Sequence, residues 1–500
     1  MSLRARAVRR TAWTNHTGNQ GVDPLRVYRP TTLQELVELV KQAERDGTTI
    51  RAVGAGHSWS DVALTRGFLL ETHGLDAIPD GPPPHLRAGL DGSRLVWTEA
   101  GIRLRDLNAA LHARGLALSN MGGYDAQTVA GVISTSTHGS GIGFGPLNDA
   151  VRSLDLVVSG GAVVRVEPAD GPTDPAAYAA AHPEHELIQH DDTFHAAVVG
   201  IGCMGIVYGA MLAVEPAYCL REVRTLTTWS DVKADLRSGD VLRNHRHYEV
   251  LVNPYPRAGT HGEHRCLVTT RDVVACDRPG ASRSRSWLVE LASAFPLTSS
   301  IVNVIVGLWP RLSPRLIDAQ MTAIARRDYE NVSYKVLNIG NANLLHAYSA
   351  EIGVPIDAAG THVEAVERIF EIARRHRELG EVFHTSAISL RFVRASPAFL
   401  SMMHGRDTMM IELIQLTHTE GGMELLADYE EQLYALGGRP HWGQVNTLTG
   451  SHGLLEEMYP RYPDWQAVRA RFNASGVFDS PFSKRVGISR SQFRQISAWR

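Results

Sequence analysis

Apolar residues at Leu33, Leu36, Val37, Val40 and Ala43 recur at the i, i+3, i+4, i+7 spacing of one helix face. Thr31 or Thr32 stands where an N-cap belongs, and Asp46-Gly47 ends the pattern. The spacing predicts a helix here, followed by a strand over 49–53 that runs into Gly54. A further strand is predicted over 94–99. A second amphipathic helix is predicted over Leu104–Ala113, carried by Leu107, Ala110 and Leu111 and closed by Arg114-Gly115. Helices and strands thus alternate early in the chain.

Further along, 170–183 is rich in Pro, Ala and Asp and is expected to be a surface insertion. The stretch 198–214 is apolar and punctuated by glycine, as expected of buried backbone near a ligand. After Pro216 longer strands and helices are expected, among them a helix over 361–375. Arg439-Pro-His-Trp-Gly443 marks another change of texture. These shifts place one boundary near 220 and a return near 440.

Composition narrows the class without naming a function. With 500 residues, two domains are the default. Hydrophobic content of 44%, charged content of 21% and a net charge of −3 describe an ordinary globular protein and favour no nucleic-acid partner. The four cysteines form no C-x-x-C pair, so a zinc ribbon or disulfide framework is disfavoured and a reducing, cytoplasmic setting is expected. The basic start (Arg4, Arg6, Arg9, Arg10) precedes no apolar run and is not a secretory signal. The apolar stretch 294–309 is short for a membrane span and is expected to be a buried helix or, on the functional reading, a peripheral contact with membrane or apolar substrate. His190, His195, His245 and His247 lack the ligand spacing of a metal centre, and no metal is expected.

Two glycine-rich blocks carry the chemistry. Arg51-Ala-Val-Gly-Ala-Gly-His-Ser-Trp59 is a strand ending in a Gly-x-Gly turn, whose backbone N–H groups can cradle phosphate oxygens. A histidine, His57, follows at once. A phosphate loop does not need one, and its presence suggests a covalently held cofactor. In the second block, 120–141, glycines and small hydroxyl residues alternate with apolar ones, which suits either a track for a long polar ligand or a tight turn network.

These blocks occur in order with Gly202-Cys-Met-Gly-Ile-Val207 and Arg439-Pro-His-Trp-Gly443. The whole resembles the aldonolactone and alditol oxidase branch of the vanillyl-alcohol-oxidase flavoproteins. The likeness starts at Trp13-Thr-Asn-His-Thr-Gly-Asn19, similar to that branch's W-x-N-x-x-G-N, and reaches 478–485. It implies an α+β fold: a two-subdomain FAD-binding domain interrupted by a cap domain with an antiparallel sheet and flanking helices. The expected division is 1–220 for the FAD domain, 221–438 for the cap and 439–500 for a segment returning to the FAD side.

The resemblance assigns FAD, bound covalently through His57, to the stretch Ala52, Val53, Gly54, Ala55, Gly56, His57 and Ser58. It adds Gly123, Thr128, Gly131, Thr135, Ser136, Thr137 and His138 to the cofactor-binding set, with Ile206 contacting the adenine side through its backbone. His138 is equally readable as a structural hydrogen-bonding histidine. The implied reaction passes hydride from a CH–OH carbon to flavin N5, with O₂ or another acceptor reoxidising the flavin. Arg391 would stabilise the negative charge of the reduced cofactor.

The chain departs from the branch at its substrate residues. Ser389 stands where a Glu precedes the Arg, Gln444 where a Lys follows His-Trp-Gly, and Gly123 where alditol oxidases carry Ser. Strand alternation puts Glu412 and Ile414 on one face, where alditol oxidases have His and Thr. Gln cannot carry the lysine's charge, Ser cannot act as a carboxylate, and unpaired buried hydroxyls cost about 1–3 kcal/mol each. A less polar alcohol is therefore expected as substrate, with Arg391, Glu412, Ser389 and Gln444 as the catalytic set. Glu412 would be a base or anchor, or else a salt-bridge partner of Arg391. The competing readings are a lactone or alditol oxidase typical of the branch, and a flavin-binding protein that has lost catalysis.

Overall fold

The computed structural model describes residues 7–8, 12–257, 259–276, 306–325, 328–339, 347–417, 419–450 and 453–489. The first predicted helix spans Leu33–Arg45, with Thr32 as N-cap accepting from the Glu35 N–H, and buries Leu36, Val37, Leu39, Val40 and Ala43. The Leu104–Ala113 helix forms as predicted. The strand expected over 94–99 begins one residue later, at Leu95, because Gly92–Arg94 takes a 3-10 turn. The predicted 361–375 helix runs on as Thr361–Gly380. The expected insertion at 170–183 is only partly superficial. Thr173 is fully buried, its hydroxyl donating to Glu167, and Asp174 caps a short helix over Pro175–Ala181.

Three sheets organise the chain. Ile50–Val53 and Arg26–Tyr28 lie parallel to Phe68–Glu71 in a four-stranded sheet packed against Leu33–Arg45. Leu95–Glu99, Val151–Val157, Val163–Glu167, His185–Gln189 and Ile206–Ala213 form a mixed five-stranded sheet. Eight antiparallel strands form the third, in the order Tyr329–Val332, Cys219–Thr228, His264–Val274, His247–Pro256, Ile388–Val393, Thr408–Leu416, Ala347–Pro355 and Arg439–Pro440. The Thr361–Gly380 and Gly422–Ala435 helices cover its outer face.

The sheets are tied together near the glycine blocks. Gly141 N–H donates to Phe392 O at 2.7 Å, and Ser140 O lies 2.7 Å from His247 Nδ1. A Cβ at Gly141 would stand 2.4 Å from Arg246 O, so only glycine allows this approach. The C-terminal segment returns to the first sheet: Ile50 N–H donates to Val477 O at 2.8 Å, Ser60 Oγ to Trp442 O at 2.6 Å, and Arg485 pairs with Asp61 at 2.6 Å.

One expectation is corrected. Cys219 and Cys276 are disulfide-bonded, with Cα atoms 5.4 Å apart, while Cys203 and Cys266 are free and buried. Antiparallel pairing of Cys219–Thr228 with His264–Val274 brings together cysteines far apart in sequence, which spacing alone cannot show. The cysteine argument for a reducing compartment therefore falls. The apolar stretch 294–309 lies outside the described residues except for Val306–Trp309, of which Val306 is buried and Leu308 and Trp309 are exposed. Among the described residues no helix is long and apolar enough to cross a membrane.

Candidate active site

The Gly-x-Gly-His loop leaves the edge of the first sheet and is braced from both sides. His16 N–H donates to Gly56 O at 2.8 Å, Asn15 Nδ2 to Ser58 O at 2.9 Å, and Asn19 Nδ2 to Trp59 O at 2.9 Å. The W-x-N-x-x-G-N motif thus works as a clamp on the loop. Gly56 sits at φ +68°, and a Cβ on Gly54 would lie 2.0 Å from Thr128 Oγ1. The Thr128 and Trp13 side chains press directly on the loop backbone, where a residue with a Cβ at Gly54 would collide.

A groove runs along this loop. It is lined by 51–58, by Gln127, Thr128, Ala130, Gly131, Ser134 and Thr135, and by Ile201, Gly202, Gly205 and Val207. Ala52 through Ser58, Thr128, Gly131 and Thr135 all line it. Ile206 is not on the groove wall: its side chain joins the core of the first sheet, between the lining residues Gly205 and Val207. The Ser136 hydroxyl is turned away, between Asn148 Oδ1 at 2.9 Å and Ser401 Oγ at 2.8 Å. Thr137 is buried, with its hydroxyl 3.4 Å from that of Thr135. Sequence reasoning missed Arg51, which is 2% exposed and donates to Val62 O, Ile201 O and Gly202 O, pinning the far wall of the groove.

His57 lies between His16, at 4.3 Å between ring centroids, and Tyr124, at 4.7 Å. Burial, then His16 and Arg103, push its pKa down to about 4. Its ring is neutral at pH 7, the form with a free nucleophilic lone pair. Gly123 faces Ile339: a Cβ there would lie 3.1 Å from Ile339 Cδ1.

The eight-stranded sheet turns a row of buried charges toward the glycine blocks. Register places Glu249 opposite Arg391, Ser389 opposite Glu412, and Glu412 opposite Glu351. Arg391 offers its three nitrogens to three carboxylates: Nε to Glu249 at 3.3 Å, Nη2 to Glu412 at 3.3 Å and Nη1 to Glu351 at 3.7 Å. Burial alone would lower the Arg391 guanidinium, but Glu412, Glu249 and Glu351 outweigh it and raise its pKa. Burial opposes ionisation of Glu249, and Arg271 and Arg391 overcome it, holding that carboxyl down at about 2. Glu351 is likewise held below its ordinary range, by His138 above all. Glu412 goes the other way. Burial raises its pKa and Glu351 adds to the rise, because one arginine divided among three acids offsets only part of it.

His138 and His441 complete this cluster. His138 Nδ1 lies 2.9 Å from Gly139 O and its Nε2 3.2 Å from Glu351 Oε1, so both ring nitrogens face oxygen acceptors. The sequence placed His138 at the cofactor edge; the structure adds a carboxylate partner. His138, Glu351 and His441 lie close enough to share a metal ion. However, His441 Nδ1 accepts from the Gly443 N–H at 3.0 Å, which leaves Nε2 as an N–H donor rather than a ligand. Gln444 is 9% exposed, and its Oε1 is buried without a hydrogen-bond partner among the described residues. Glu249, Glu351 and His441 were missed in the sequence. The one available signal was an acidic residue inside an apolar strand, as in Ala347–Pro355.

Comparison with known proteins decides the family. The D-arabinono-1,4-lactone oxidase family matches residues 210–486, and an FAD binding domain family matches 24–167. The chain belongs to the D-arabinono-1,4-lactone oxidase family. It is 29% identical over 481 residues to an L-gulono-1,4-lactone dehydrogenase of Mycobacterium tuberculosis, covering 95% of this chain and 98% of that protein. It is 27% identical to an alditol oxidase of a Streptomyces species, covering 94% and 98%. A solvent-stable cholesterol oxidase shares the fold, with a TM-score of 0.77 at 17% identity over 95% of this chain and 97% of that one. The protein is thus an FAD-dependent oxidoreductase acting on CH–OH groups, with a flavoprotein fold of the vanillyl-alcohol-oxidase type. The groove suits FAD: glycines at closest approach, an arginine-pinned wall and a neutral histidine at one end.

Proposed function

We propose that this oxidoreductase acts on an alcohol less polar than an aldonolactone or alditol. The observation that carries this reading is Gly123 packed against Ile339, where a hydroxyl-bearing residue would serve a polyol. Ile414, on the same face as Glu412, joins Val306, Ala347 and Leu416 in an apolar cluster. Ser389 and Gln444 add no charge. Exposed Leu308 and Trp309 supply the apolar surface for the peripheral membrane contact that belongs to the same reading. The reading also takes 1–220 and 439–500 as the cofactor side and 221–438 as the cap.

Bound FAD would accept hydride at N5 and pass the electrons to O₂ or another acceptor. The chain's own residues would do the rest. Ala52–Ser58, Thr128, Gly131 and Thr135 would hold the cofactor, with His57 as its covalent anchor. Ser136, Thr137 and His138 would support its edge, and Ile206 would contribute its backbone. Arg391 would supply positive charge where negative charge develops. Glu412 would take the hydroxyl proton, and Ser389 and Gln444 would fix the alcohol.

Anaerobic bleaching of the flavin band across an alcohol panel tests the substrate class. Apolar secondary alcohols are expected to bleach it at lower concentration than xylitol or gulonolactone, and the reverse order rejects the reading in favour of a typical lactone or alditol oxidase. Glu412 must be ionised to accept a proton, and its pKa is raised. The reduction rate should therefore climb as pH rises through a value above the ordinary carboxylate range. Glu412→Gln should slow reduction about 10²- to 10⁴-fold and remove that limb. An unchanged rate and profile would exclude Glu412 as the base.

A further inference from the structure

The buried charges do not stop at the site. Arg224 Nη2 lies 2.8 Å from Glu222 Oε1, and Arg271 Nε lies 2.8 Å from Glu222 Oε2. Arg271 Nη1 lies 2.7 Å from Glu249 Oε2, while the other oxygen of Glu249 holds Arg391 Nε at 3.3 Å. Acid and base alternate across adjacent strands until they reach Arg391 and the carboxylates of Glu412 and Glu351. Glu222 and Arg271 are 1% and 3% exposed, so solvent does little to screen the row.

We propose that Arg271 is a positioning residue: it occupies one oxygen of Glu249, leaves the other for Arg391, and so sets the net charge against which Arg391 and Glu412 work. Without Arg271, Glu249 would present an uncompensated carboxylate to Arg391. The guanidinium would then be drawn toward Glu249 and away from Glu412, and the site would become more negative. Only the pH arm of this inference rests on Glu412 as proton acceptor. The groups that face Glu412 are Arg391, Glu351 and His138, with His441 acting on Glu351. Those around Arg271 are Glu222, Glu249, Arg224 and His247.

The two ends of the row predict effects of opposite sign. Arg271→Met removes a positive charge and should lower the midpoint potential of the bound flavin, because a more negative site disfavours the reduced cofactor. Glu222→Gln removes a negative charge, leaves Arg271 in place and should raise that potential. Three strand spacings of about 4.8 Å separate the Arg271 and Glu412 backbones. One charge at that range, in an effective dielectric near ~20, moves a titration by about one pH unit. The limb of the flavin-reduction profile should therefore shift up by about that much in Arg271→Met and down in Glu222→Gln.

The experiment measures, on holoenzyme, the flavin potential by reductive titration without substrate and the reduction rate against pH with an alcohol. Potentials moving in opposite directions support the inference. Potentials that move together, or do not move, overturn it, since a purely structural loss has no reason to change sign. Should Arg271→Met not fold, Glu222→Gln still decides, because a potential that falls or stays fixed contradicts the expected rise. Opposed potentials with a stationary pH limb would uphold Arg271 as a positioning residue and reject Glu412 as the proton acceptor.

Discussion

Gly54→Ala offers a sharp test of how the cofactor loop is built. The added Cβ would lie 2.0 Å from Thr128 Oγ1 and 3.1 Å from Thr128 Cβ, against 3.4 Å for an ordinary contact. Thr128 must retreat by more than about 1 Å. Its hydroxyl caps the Val129–Ser134 helix by accepting from the Gly131 N–H at 3.3 Å, and that bond would be lost. A lost cap costs about 1 kcal/mol. Overpacking adds about 1–3 kcal/mol. The total of roughly 2–4 kcal/mol corresponds to about 30- to 1,000-fold in an equilibrium constant. It should appear as a lower melting temperature and as FAD missing from purified protein, read from the ratio of flavin to protein absorbance. Thr128→Ala in the same chain removes the collision but not the loss of the cap, so the double variant should be less impaired than the two single losses summed. Full additivity, or a Gly54→Ala protein with normal stability and flavin content, would refute the account.

Gly123→Ser alone should not improve xylitol turnover, because its Cβ meets Ile339; Gly123→Ser with Ile339→Ala should lower the xylitol KM about tenfold, the worth of one paired hydroxyl. If His57 anchors the flavin, yellow colour should stay in the acid-precipitated pellet of the native protein and move to the supernatant in His57→Ala. Because His57 titrates at about 4, attachment of FAD to apoprotein should be constant from pH 6 to 8 and fail only as pH drops through that value. Reducing the Cys219–Cys276 bond, which spans a sequence separation of 57, should lower stability by up to ~4 kcal/mol in the chain-entropy account; four titratable thiols in unreduced, unfolded protein would show that the bond is not made.

Local physics made much of this protein legible. The 3.6-residue period of Leu33 to Ala43 fixed the first helix, because that spacing puts Leu36, Val37, Val40 and Ala43 on its buried face, with Leu33 partly buried beside them. Gly54 and Gly56 marked a turn where close approach leaves no room for a Cβ, which glycine alone allows. Strand alternation put Glu412 with Ile414, since period two is a property of the strand itself. The clamp formed by Asn15 and Asn19 was visible as a motif, though its target was not.

What the sequence could not supply depends on register between distant strands. Glu249, Glu351 and His441 are separated from Arg391 along the chain and meet it only through antiparallel pairing and the return of the C-terminal segment. The disulfide arose the same way. Side-chain direction also escaped the sequence at Ser136, whose hydroxyl turns to Asn148 and Ser401. The cofactor was legible in short glycine motifs and in their order along the chain. The charge on Glu412 was not, because it depends on how many acids share one arginine, and that number exists only once the sheet is assembled.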